Sequence, residues 1–274
     1  MADRRHVLDA TAVRRLAGLI GALGLTACGH VGPRPALTPN PVVPEAAAAS
    51  TPSERDSVWH DAERHFRTGD WSKSITLFER ALLELPPGDS RTVLAHFYLG
   101  EAKLADGQQL EAAREFRQVS DQTPNDTLAP VALLRVGDAY AQLWRRPELD
   151  PTYGQTAMGT YQELLNRYPG TEAATRAQAK IAALQDDFAF KQYKAALYYL
   201  RNKAYDSAIL YLKDLVATYP RADIAPDALL RLVEAYNALG YQEDVKETCG
   251  YIQRFHPNTP GLAKACPSPA AGAS

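Results

Sequence analysis

The sequence predicts an all-α solenoid of about five stacked helix pairs, and three observations carry that prediction. Five segments repeat one motif: a small or apolar residue, a larger one four positions on, and a proline eight further. A second apolar helix precedes each of them. The two flanks, residues 28–50 and 261–274, are poor in core-forming residues, which confines the folded part to residues 51–260 and leaves the tail at 261–274 as disordered.

The chain opens with a different kind of segment. Arg4, Arg5, Arg14 and Arg15 precede an uncharged run from Leu16 to Leu25. A ten-residue helix spans about 15 Å, roughly half of what a membrane-spanning helix must cover. Basic residues, a short apolar run and small residues at its end read together as a secretory signal peptide over residues 1–27. Leu25-Thr26-Ala27-Cys28 resembles the lipobox of bacterial lipoproteins, in which the cysteine sulfur receives a diacylglycerol, the peptide is cut before it, and the new amino group is acylated. The resemblance implies lipid attachment at Cys28. Each buried CH₂ contributes about 0.8 kcal/mol, so several acyl chains hold a protein on a membrane where one would let go. In such lipoproteins an aspartate after the cysteine favours the inner membrane; Gly29 stands here and points to the outer membrane, periplasmic face.

Residues 28–50 carry five prolines and almost no charge, the composition of an extended tether. Order begins at Thr51-Pro52-Ser53-Glu54. Thr51 is placed to cap a helix, Pro52 suits its first position, and Glu54 completes a capping box.

The repeated motif then runs Ser74, Phe78, Pro86; Ala112, Phe116, Pro124; Ala157, Tyr161, Pro169; Ala208, Leu212, Pro220; and, most degraded, Val245, Cys249, Pro257. A four-residue step returns to the same helix face. The small residue lets a neighbouring helix approach, the large one fills the gap, and proline ends the helix. In the preceding helices Ala62 and Gly100 mark close crossings, and Gly69 and Gly107 mark turns. Gly or Ala, an aromatic, a turn glycine, Ala-x₃-Phe and a proline make the pattern of the tetratricopeptide repeat (TPR). Such pairs stack because none buries its apolar face alone.

The repeats are irregular. Their prolines lie 38, 45, 51 and 37 residues apart, against about 34 in the standard unit. In the third unit the stretch Leu143 to Gly154 separates the two helices, with Asp150-Pro151 placed to start the second. In the fourth, Thr171 to Asn202 holds neither proline nor glycine, so its first helix is either unusually long or two continuous helices.

Asp150-Pro151, then Ala157, Tyr161 and Tyr168-Pro169, then the run from Ala173 to Ile209, resemble the BamD family, TPR lipoproteins of the outer-membrane β-barrel assembly machine. The resemblance covers about Thr51 to Pro257 together with the lipobox. It implies a scaffold that binds the periplasmic part of the barrel subunit through its C-terminal repeats, alongside other assembly lipoproteins, and receives unfolded outer-membrane proteins on its N-terminal repeats. One departure stands out: the family often places an arginine against the barrel subunit in the fourth unit's second helix, where this sequence has Tyr211. That contact does not carry over. Other TPR lipoproteins, a secretin pilotin or a division factor, would show much the same helix pattern.

A binding groove has a physical basis of its own. The first helix of each pair lines the inner side of such arrays, and in peptide-binding members its second, fifth, ninth, twelfth and thirteenth positions face the ligand. Those positions select Trp59, Glu63, Phe66 and Arg67; Phe97 and Glu101; Asp138 and Gln142; Tyr193 and Arg201. Aromatics give area and charges give orientation. Phe66, Phe97 and Tyr193 suit inter-helix core at least as well, while the polar neighbours of Trp59 make it the leading ligand contact.

Nothing in the sequence points to catalysis or a cofactor. No P-loop, G-x-S-x-G or H-E-x-x-H occurs. His60, Asp61 and His65 would need a further ligand to hold a metal. Asp186-Asp187 reads as surface charge. A net charge of −2 without a basic cluster argues against nucleic acid. Cys249 occupies the large-residue position of the fifth unit, which makes a buried thiol its default; the alternative is a disulfide to Cys266 that clips the tail to the helix.

Overall fold

The computed structural model describes residues 50–266. The signal-peptide and tether readings, Cys28 included, and residues 267–274 lie outside the described residues. Among those described, every regular element is a helix: α1 Pro52–Thr68, α2 Trp71–Glu84, α3 Arg91–Ala105, α4 Gln109–Gln122, α5 Ala129–Leu143, α6 Thr152–Arg167, α7 Glu172–Arg201, α8 Tyr205–Thr218, α9 Ala225–Leu239, α10 Gln242–Phe255 and the short α11 Leu262–Ala265. Helices α1 to α10 form five consecutive A–B pairs, each stacked on the next. This is a TPR solenoid.

The proline rule sets the ends of the B helices. α2, α4, α6, α8 and α10 each stop two residues before their proline, because the proline ring disfavours helical backbone in the residue preceding it. The A helices end on left-handed glycines where the sequence provides them, Gly69 at φ 75° and Gly240 at φ 77°. The fourth unit lacks such a glycine. Lys203 takes the left-handed conformation there at φ 58°, which costs an L-residue roughly 1–2 kcal/mol.

At the start, Thr51 and Glu54 form the reciprocal capping box, with Thr51 N–H donating to Glu54 Oε2 at 2.7 Å. The small–large pairs make the core. Ser74 and Phe78, Ala112 and Phe116, Ala157 and Tyr161, Ala208 and Leu212 are all fully buried. Close crossings need the missing side chain: a Cβ added to Gly100 would meet the Phe116 ring at 2.8 Å, and one on Gly137 the Tyr161 ring at 2.3 Å.

The irregular units resolve simply. Thr171 to Asn202 contains one continuous 30-residue helix, α7, with Thr171 as its cap. In the third unit Asp150 Oδ1 accepts the Thr152 N–H at 2.8 Å, and Pro151 itself holds the cap position, one residue later than the sequence reading placed it. The loop is pinned to α7. Lys191 Nζ donates to the Glu148 and Leu149 carbonyls at 3.0 and 2.6 Å, and Trp144 packs on Phe188 with ring centroids 4.5 Å apart.

One boundary needs correction. Residues 261–266 were expected to begin a disordered tail, yet α11 forms there, and Cys266 is buried beside Leu229, Val233 and Ile252. Cys249 and Cys266 are joined by a disulfide with Cα atoms 5.6 Å apart. Leu262 and Cys266 lie one turn apart, so a single small face is buried and held by the bond.

Candidate functional site

The structure separates the expected groove residues into two classes. Trp59 is a core residue, only 6% exposed, set edge-to-face against Phe78 with centroids 5.6 Å apart. It is not a ligand contact. Its polar neighbours His60 and Asp61 lie around the helix, while Val58, Trp59 and Ala62 face α2. Phe66 packs on Trp71, Phe78 and Tyr98, and Phe97 on Phe116, so both serve mainly as inter-helix packing.

Asp138 and Tyr193 are also corrected, being 6% and 8% exposed. Asp138 is the centre of a buried polar network. Its Oδ1 accepts the Tyr161 hydroxyl at 2.8 Å and lies 3.3 Å from Lys180 Nζ, while its Oδ2 lies 3.3 Å from the Arg135 guanidinium. Arg135 in turn forms a bidentate pair with Glu101, joining α3 to α5. Burial, and then the neighbouring Asp138 carboxylate, push the Tyr161 phenol well above its ordinary range. The hydrogen bonds that Arg135 donates to Glu101 raise its pKa, outweighing its burial. A buried carboxylate with three partners is a packing device that fixes the register of three successive helices. Glu101 is committed to that network as well.

The residues left accessible are fewer. Arg67, Gln142 and Arg201 are exposed, and Glu63 is half-buried. Glu63 lies 3.7 Å from His60, and Arg67 turns back to the Glu63 carbonyl at 3.3 Å. The structure does not gather His60, Asp61 and His65: Asp61 pairs with Arg64 at 2.9 Å and His65 with Asp70 at 3.0 Å. Asp186, read as surface charge, accepts the Asp223 N–H at 3.0 Å and secures the turn into the fifth unit.

Two surfaces were not legible as sites. Around Tyr211, a cleft of about 510 Å³ opens between the third-unit loop, α7 and α8, lined by Phe188, Tyr219 and Lys191. Tyr211 itself stacks on Tyr199 with centroids 5.2 Å apart. At the far end, Tyr241, Tyr251 and Phe255 stand exposed around α10, Tyr251 and Phe255 with centroids 4.8 Å apart. Their i, i+4 spacing was the available signal, masked by the weakness of the fifth repeat.

A family profile described as YfiO, outer membrane lipoprotein, matches residues 52–250, from the first turn of α1 into α10. The chain belongs to this YfiO family. The relatives it matches include outer membrane protein assembly factor BamD from Caulobacter vibrioides, 27% identical over 180 residues, 65% of this chain and 58% of that protein. BamD from Vibrio cholerae is 33% identical over 108 residues, 39% of this chain and 45% of that protein. BamD from Neisseria meningitidis serogroup A is 22% identical over 223 residues, 77% and 82% respectively. The chain spans about half the length of the first two. Among solved structures, the TPR domain of P58(IPK) superposes with a TM-score of 0.42 at 14% identity, over 78% of this chain and 54% of that one. The YfiO match covers the first four helix pairs, including the irregular third and fourth, and runs part-way into the last helix of the fifth. Among the described residues no helix is long and apolar enough to cross a membrane.

Proposed function

We propose that this chain is a lipid-anchored scaffold for outer-membrane protein assembly. Cys28 carries the lipid on the periplasmic face of the outer membrane, residues 28–50 form the leash, and the solenoid joins partners. The observation that carries the reading is the YfiO family match over residues 52–250, in a chain whose Leu25 to Cys28 resembles a lipobox. Its BamD relatives are assembly factors by name. In this reading the C-terminal units hold the periplasmic part of the barrel-forming subunit and other assembly lipoproteins, and the N-terminal units receive unfolded outer-membrane proteins. The exposed Tyr251 and Phe255 support the first assignment, because aromatics at a surface are the residues most often found anchoring protein partners.

The test is capture from gently solubilised membranes through a C-terminal tag. A large barrel protein with periplasmic repeats is expected to co-purify. A secretin or a peptidoglycan-bound partner in its place would overturn the reading. In parallel, Cys28→Ala is expected to abolish fatty-acid labelling and leave the precursor uncleaved.

A further inference from the structure

On the A-helix side of the last two units, α7, α9 and α11 line two adjoining open cavities that together form a trough. Its larger part, about 680 Å³, lies between α9 and α11; its smaller part, about 340 Å³, lies between α7 and α9, and Arg231 and Glu234 line both. The floor is aliphatic, with Leu197, Leu200, Leu230 and Val233. The rim is basic. Arg231 is engaged with Glu234 at 2.8 Å. Lys194, Arg201 and Lys264 are exposed and have no carboxylate partner among the described residues, against a single unpaired acid of the lining, Asp227.

The spacing of these cations selects the ligand. Lys194 and Arg201 stand seven residues apart on α7, about 10 Å at 1.5 Å per residue. Lys264 lies on a third helix, so a compact anion such as phosphate meets only part of the rim. An extended chain rises about 3.3 Å per residue and turns alternate side chains to opposite sides, so some four residues bridge that distance while aliphatic groups reach the floor. We infer that this trough binds an extended, acidic segment of another protein, one in which carboxylates alternate with aliphatic side chains.

The disulfide completes the site. α11 has four residues, far too few to persist as an isolated helix. The bond from Cys266 to Cys249 of α10 holds it, and Lys264 is two residues away. The basic rim is whole only when those cysteines are oxidised, as in a compartment that sustains disulfides.

This inference goes beyond the assembly reading, since it concerns a ligand chemistry measured on the purified chain; either can fail without the other. The test is fluorescence anisotropy of the full chain, oxidised and in detergent, with a labelled, amidated eight-residue peptide alternating glutamate and leucine. Its lysine–leucine counterpart is the control. The acidic peptide is expected to bind and the basic one not. Arg201→Glu with Lys264→Glu should weaken binding by about tenfold or more, and Asp227→Lys should tighten it, both with unchanged circular dichroism. Cys266→Ser should reproduce the share of the loss due to Lys264, about threefold by the same reasoning. Equal binding of both peptides, no binding of either at millimolar concentration, or charge reversals without effect would overturn the proposal.

Discussion

The third and fifth helix pairs solve the same packing problem by different means. In the third, Gly137 leaves the space that the Tyr161 ring fills, and the Tyr161 hydroxyl closes onto a buried Asp138 already held by Arg135 and Lys180. In the fifth, the corresponding pair is a half-buried Val245 and the smaller Cys249, and Gly250 next to it faces open space. The difference follows from position. An interior pair is stacked on both sides and is fixed by fit, whereas the last pair has one neighbour and substitutes a covalent bond for the missing stack. The same exposure that makes the fifth unit weak as a repeat leaves Tyr251 and Phe255 free for a partner.

That comparison can be broken from either side. Tyr161→Ala should cost the most, about 4 kcal/mol by chemical denaturation, as expected for emptying a large buried aromatic site. If it costs no more than Cys249→Ala, the interior pair is not held by fit. Cys266→Ser opens a loop closed by residues 17 apart, worth about 3 kcal/mol in the chain-entropy account. Its effect should stay local: hydrogen exchange should rise in α10 and α11 and remain unchanged in α5 and α6. Exchange spreading evenly along the solenoid would contradict the division.

Two glycines sharpen the contrast further. Gly100→Ala forces a methyl against the buried Phe116 ring and should destabilise by about 2 kcal/mol. Gly250→Ala adds a methyl to an open helix face and should stabilise by about 0.5–1 kcal/mol. Equal signs would show that burial does not separate the two units.

The smallest effect concerns the turns between units. Asp89, entering the second unit, accepts the Arg91 guanidinium and backbone N–H, and these hold its carboxyl at about 2 against an ordinary 3.8. Because the folded value is the lower one, its contribution is present above about pH 4 and fades as pH falls toward 2. The acid limb of a stability profile should be shallower in Asp89→Asn.

The sequence made the architecture legible because TPR packing is local. Proline stops, turn glycines and four-residue steps all lie within one helix pair, so five pairs and the third-unit loop could be read directly, while the stretch from Thr171 to Asn202 left one long helix or two open until the structure showed a single α7. The sites were less legible because they depend on where helices meet. Polar neighbours suggested an exposed Trp59, but Trp59 and Ala62, three apart, share a stripe that α2 covers. Asp138 sat at a ligand-facing position of its helix, yet Tyr161, 23 residues away, decides its role. The start of α11 had a signal in the Leu262–Cys266 spacing, too short to count as a helix without its disulfide partner.

The central claim is that the two ends of the solenoid serve different partners, and site-specific photo-crosslinking in cells tests it most directly. A photoreactive phenylalanine at Phe255, in the fifth unit, is expected to capture a membrane-embedded barrel protein carrying periplasmic repeats, while one at Arg67, in the first, is expected to capture newly exported barrel proteins before they fold. The same adducts from both positions, or none from either in cells that are actively assembling outer-membrane proteins, would contradict it.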